Sequence, residues 1–77
     1  MPRNNQPIRV LSILIRLCAF RKTGLTIKEL MEYADVDRRT LYRDFDAIKA
    51  AGVELESVRG SGSLRIRISR IPGLIED

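Results

Sequence analysis

The chain contains no histidine and a single cysteine, Cys18. One chain with that inventory cannot build a zinc site of the Cys and His pattern, and it has neither a Ser-His nor a Cys-His pair for nucleophilic catalysis. No internal disulfide is possible, which fits a reducing compartment. Cys18 lies among apolar residues and reads as a buried, inert thiol. Long apolar runs are also missing. The longest, Val10 to Phe20, is broken by Ser12 and Arg16 and is too short to cross a bilayer. Residues 1–6 are polar with one basic side chain and are followed by no small-residue cleavage site, so no signal peptide is read. No paired carboxylates, nucleophile with base or metal set converges, and enzymatic activity, cofactor binding and metal binding are not expected.

What remains is 77 residues with 44% apolar and 31% charged, enough for one small domain. A chain of this size hides only about 60% of the surface it exposes when unfolded, so its core is marginal unless another copy covers apolar surface. Lysine and arginine number 14 against 10 acidic residues, a net charge of +4 that suits an anionic partner.

Residues 1–6 read as a disordered leader and residues 7–70 as the domain. Pro7 suits a first helical turn, and the helix it opens is expected to run to about Arg21, before Gly24. Leu11, Leu14, Ile15 and Cys18 follow the i, i+3, i+4, i+7 rule and form the expected core stripe. Val10, Ile13, Leu17 and Phe20 make a second apolar strip, leaving Arg9, Ser12 and Arg16 as a narrow polar sector. A helix apolar around most of its circumference needs cover on more than one side. The second strip is therefore assigned to a homodimer interface, with the alternative that Ile71, Leu74 and Ile75 of the short tail, residues 71–77, fold back over it.

Thr26-Ile27-Lys28-Glu29 is a capping box, with Leu25 and Leu30 as its hydrophobic staple. The helix it opens buries Ile27, Leu30, Met31 and Ala34 and stops near Ala34. After Asp35 and Val36, Asp37 caps a third helix from Arg38 to about Ala51, closed by Gly52 in the left-handed conformation. Leu41, Phe45 and Ile48 are spaced for burial, while Arg39, Tyr42, Arg43 and Asp46 fall on the opposite side. The pattern then alternates. Residues 53–56 read as a strand, residues 59–63 as a flexible tip, and residues 64–68 as a second strand with Arg65 and Arg67 on one face. Residues 60–63 lack the Lys-Ser/Thr of a phosphate-binding loop and precede a strand, which excludes that reading.

Two helices joined by a short turn, the second bearing cations at its amino-terminal end, have the geometry by which a helix enters the major groove of duplex DNA. Arg38, Arg39 and Arg43 supply three positive charges within six residues. Asp44 and Asp46 sit badly against phosphates and limit the contact to the first two turns. Arg59, Arg65 and Arg67 could reach phosphates beside the main contact, although alternate arginines also keep a sheet edge soluble.

The run from Leu25 to Leu30, followed by Val36-Asp37-Arg38-Arg39-Thr40-Leu41-Tyr42-Arg43-Asp44-Phe45 and by residues 50–53, resembles the winged helix-turn-helix of DeoR-type and WYL-associated bacterial transcription regulators. The resemblance spans about residues 7–70. It implies a mainly α fold of three helices with a small β-hairpin wing, and a sequence-specific regulator of double-stranded DNA in the cytoplasm of a bacterium or encoded by a phage. Carried over by position, Arg38, Arg39, Thr40, Tyr42 and Arg43 face DNA, and residues 59–63, with Arg59 and Ser61, form the wing tip; Thr26 and Lys28 at the start of the second helix are added as DNA-binding candidates. Asp37 stands where serine is usual, keeping the cap but adding a negative charge. Family members usually continue into an effector-sensing domain, whereas this chain ends shortly after its wing, so no small-molecule effector site is expected in it. Two other readings stay open: a DNA-architectural or excisionase-like accessory factor of a mobile element, and a protein-interaction module built on the same fold.

Overall fold

The computed structural model describes residues 5–60 and 62–73. The expectations for residues 1–4, Ser61 and residues 74–77, including Leu74 and Ile75, lie outside the described residues. Helix α1 spans Gln6–Ala19, strand β1 Leu25–Thr26, helix α2 Ile27–Ala34, helix α3 Arg38–Ala50, strand β2 Glu54–Arg59 and strand β3 Leu64–Arg70. The three strands form one antiparallel sheet in the order β1-β3-β2. Three helices with this small sheet make the winged helix-turn-helix arrangement.

Each boundary has a local cause. Pro7 falls in the first turn of α1, where a missing amide proton costs nothing. The capping box of α2 is complete: the Glu29 amide donates to Thr26 Oγ1 at 3.0 Å and the Thr26 amide donates to Glu29 Oε1 at 2.9 Å. Asp37 caps α3 by accepting from the Thr40 amide at 2.8 Å. Between these helices Asp35 adopts a left-handed backbone, φ 57°, that turns the chain within a few residues.

Strand β1 is an addition to the hairpin expected from the sequence. Its two residues pair with β3, Leu25 opposite Ile66 and Thr26 opposite Arg65. Gly24 makes this approach possible. Its φ is +76°, and a Cβ there would lie 2.8 Å from the Ile66 carbonyl oxygen. In the hairpin, β2 and β3 pair from Leu55 opposite Ile68 to Arg59 opposite Leu64, with a register irregularity at Glu54/Leu55.

The core joins Ile13 and Leu17 of α1, Leu30 and Ala34 of α2, Leu41, Phe45 and Ile48 of α3, Leu25 and Val53, and Ile66 and Ile68 of β3. Burying these side chains is worth about 1.5–3 kcal/mol each for the larger ones before chain entropy is subtracted. Ile71 packs at its edge.

The orientation of α1 overturns the stripe assignment. Ile13 and Leu17, placed with Val10 and Phe20 at a dimer interface, are fully buried within the monomer, and Val10 packs against the core. Of the four, only Phe20 is exposed, at 42%. The expected core residues Leu11 and Ile15 are 58% and 60% exposed, and Cys18 is exposed rather than buried; Leu14 alone of that stripe packs on the core. The cause is Arg9. It belongs to the buried face with Ile13 and Leu17, one helical turn apart at each step, because its charge meets the buried carboxylate of Asp44. Counting Arg9 as a solvent-facing residue rotates the whole helix on the wheel.

Candidate nucleic-acid interface

Helix α3 divides cleanly by its period. Leu41, Asp44, Phe45 and Ile48 are buried, while Arg38, Arg39, Tyr42, Arg43 and Asp46 are exposed and Thr40 is half-buried. The Tyr42 ring stands edge-on against Phe45, centroids 5.8 Å apart and planes at 74°, which anchors an exposed phenol on the core. Arg38, Arg39 and Arg43 form no salt bridge among the described residues. Three cations on adjoining turns of one exposed helix face repel one another mildly, an arrangement that an external anion relieves.

The amino-terminal end of α3 carries one opposing charge. Hydrogen bonds from Thr40 hold the Asp37 carboxyl below its ordinary range, with a smaller contribution from the nearby Arg39 charge. Asp37 is therefore anionic at neutral pH and satisfies one orphan donor of the helix, the Thr40 amide, that an incoming phosphate could otherwise use.

Helix α2 contributes Lys28, exposed on its first turn. Thr26, assigned with it to the DNA-facing set, is half-buried and its hydroxyl is engaged by the capping box. The backbone hydrogen bond from Thr26 is also the main reason the Glu29 carboxyl is held low, with Arg65 adding to it.

The sheet arginines behave differently from the expectation of a free row. Arg67 donates through Nε to Glu56, its cross-strand partner, and through Nη1 to the Lys22 carbonyl at 3.0 Å. Arg65 donates to the Gly24 carbonyl at 3.2 Å and lies 3.8 Å from Glu29 Oε1. Both clamp the sheet to neighbouring segments, so neither is a free cation. Pairing on both sides of β3 puts an acceptor beside each of them, a feature that alternation within one strand does not reveal. Arg59 remains exposed near the hairpin tip.

The sequence reading of Asp44 as an exposed carboxylate that, with Asp46, limits the phosphate contact is corrected by the structure. Its side chain is fully buried and accepts from both Nε and Nη2 of Arg9, the latter at 2.9 Å. The signal available in the sequence was its spacing: three residues after Leu41 and four before Ile48, it falls on the apolar stripe of α3.

Among the described residues no group of three His, Cys, Asp or Glu side chains could hold a metal ion, and no helix is long and apolar enough to cross a membrane. The family model described as HTH domain matches residues 9–63, from the buried arginine of α1 to the hairpin turn. No curated protein and no solved structure matches the chain.

Proposed function

Starting from the chain's membership of the HTH domain family, a DNA-binding fold of transcription regulation, we propose that it is a sequence-specific regulator that lays α3 in the major groove of double-stranded DNA. The observation that carries this reading is the outer face of α3, where Arg38, Arg39 and Arg43 are exposed beside Tyr42 and form no salt bridge among the described residues. Arg39 and Arg43 lie four residues apart and are the candidates for bidentate contacts to guanine O6 and N7. Arg38, Thr40, Tyr42 and Lys28 would fix register on the phosphates, with Arg59 reaching the backbone from the wing. Within the family, the run from Val36 to Phe45 supports a place among DeoR-type and WYL-associated regulators.

The regulator would act as a homodimer. With Ile13 and Leu17 in the core, the face available for self-association is the exposed row Ile8, Leu11 and Ile15, whose spacing of three and four residues is that of a coiled-coil seam. Two such domains reading one inverted repeat would double the small contact that a single short helix can make.

Selection of bound duplexes from a randomised pool at near-physiological salt tests the reading. Enrichment of an inverted repeat with half-sites about one helical turn apart is the expected result. Weak, steeply salt-dependent retention with no enriched sequence would refute sequence-specific regulation.

A further inference from the structure

Each of two helices carries one charged residue on its apolar stripe, and the two meet. On α1 the buried stripe reads Arg9, Ile13, Leu17; on α3 it reads Leu41, Asp44, Phe45, Ile48. Arg9 is 8% exposed and Asp44 is fully buried. The contact is a fork: Nε faces one carboxylate oxygen and Nη2 the other. The hydrogen bond to Asp44, more than the charge alone, raises the Arg9 pKa against the opposing effect of burial.

A buried ion pair is weak evidence for a gain in stability. It is commonly no better than apolar side chains of the same volume, because two charges must leave water. A fork differs from apolar packing in being directional: guanidinium and carboxylate must be nearly coplanar and in line, whereas leucine against isoleucine tolerates sliding and rotation. Successive residues on a helix are separated by about 100°, so the azimuth at which α3 is held by Asp44 also decides where the adjoining Arg43 and, one turn earlier, Arg39 point. The other contacts that hold α3, the burial of Leu41, Phe45 and Ile48 in the core, are apolar and less directional.

We propose that Arg9 and Asp44 are positioning residues for DNA recognition: the fork between them sets the rotation of α3 about its own axis, and with it the alignment of Arg39 and Arg43 to base edges. This rests on the reading of α3 as the recognition helix and assigns its specificity partly to a residue on another helix that touches no DNA.

The test replaces the fork by apolar side chains, Arg9→Met with Asp44→Leu, and compares the selected duplex with a scrambled duplex of the same length and composition. The expected result is a thermal midpoint equal to or above that of the parent, an unchanged salt slope, and a ratio of specific to scrambled affinity reduced at least tenfold. A merely structural pair would lower the midpoint and spare the ratio. Arg9→Lys is the second variant, since it keeps the charge and loses the fork; its ratio should fall in the same direction, and this variant is read alone if the double variant fails to fold. A ratio within twofold of the parent in a folded variant overturns the proposal. Amide hydrogen exchange on the free protein reads the same device without DNA. Faster exchange confined to α3 and the first turn of α1 supports the fork as a positioning element even if the parent prefers no sequence, and unchanged exchange overturns it.

Discussion

Arginine is placed on both the outer face of α3 and the rows of the sheet, at regular spacing in each, and the two sets differ in what they touch. Arg38, Arg39 and Arg43 have no salt-bridge partner among the described residues, whereas Arg65 and Arg67 reach Gly24, Glu29, Lys22 and Glu56. A cation already balanced by a carboxylate releases little on meeting a phosphate, because the pair must be broken first. A cation held in solvent by its helix has no such cost. The +4 net charge thus understates the contrast: the three arginine charges on the outer face of α3 are available to an anionic partner, and those of Arg65 and Arg67 are spent within the fold.

The largest effects should come from the free set. Arg39→Ala or Arg43→Ala is expected to cost about 1–3 kcal/mol at the selected duplex if the contact is to a base, with relaxed preference at one position of the site. Arg38→Ala should weaken binding evenly across sequences and lower the salt slope by about one unit, as loss of a phosphate contact does. Fluorescence anisotropy against the selected and scrambled duplexes at several salt concentrations measures both. Equal losses on the two duplexes for all three variants would abolish the distinction between base-reading and phosphate-binding arginines.

The sheet can be broken from within without touching a charge. Gly24→Ala places a Cβ against the Ile66 carbonyl at a positive φ, and strain of this kind costs about 1–3 kcal/mol. The thermal midpoint should fall accordingly, and binding by the folded fraction should keep its sequence preference, since α3 is not involved. Smaller again is Arg67→Ala. Its pair with Glu56 is partly exposed, and such pairs contribute about 0.2–1 kcal/mol. The expected outcome is a slightly lower midpoint with an unchanged salt slope; a slope reduced by one unit would place Arg67 among the DNA contacts after all.

Much of this division follows from local pattern, and the remainder depends on contacts distant in the chain. Thr26 with Glu29, Asp37, the outward face of α3 and the hairpin are each set by residues within a few positions of one another, which is why spacing alone reveals them. Strand β1 has two residues, too few to show a period, and its pairing with β3 depends on a backbone approach permitted by Gly24. The rotation of α1 turns on Arg9, which an amphipathic wheel assigns to solvent unless its partner is known. That partner, Asp44, lies 35 residues away. The same limit applies to Arg67: alternation shows that it shares a face with Arg65, while the register that sets Glu56 opposite it is a property of two strands together.

Two capping carboxylates carry the comparison to its finest level. Asp37 caps the recognition helix, and Glu29 closes the capping box beside Arg65 on the sheet side. Both carboxyls are held below their ordinary values of 3.8 and 4.5 by hydrogen bonds to the charged form. Groups lowered on folding contribute stability that is fully present above those ordinary values and lost as pH falls through the lowered ones. Asp37→Asn and Glu29→Gln keep the cap acceptors without the titration, so each should flatten acid unfolding below about pH 4 while leaving the fold intact at neutral pH. Their effects on DNA should differ. Removing the Asp37 charge takes an anion away from the end of α3 and should raise affinity modestly, most visibly at low salt where screening is weakest. Glu29→Gln, on the sheet side, should leave affinity where it was. Equal gains from both would mean that Glu29 faces the phosphates as its neighbour Lys28 does, and the boundary between the DNA-reading face and the sheet would have to be moved to include Glu29 and Arg65.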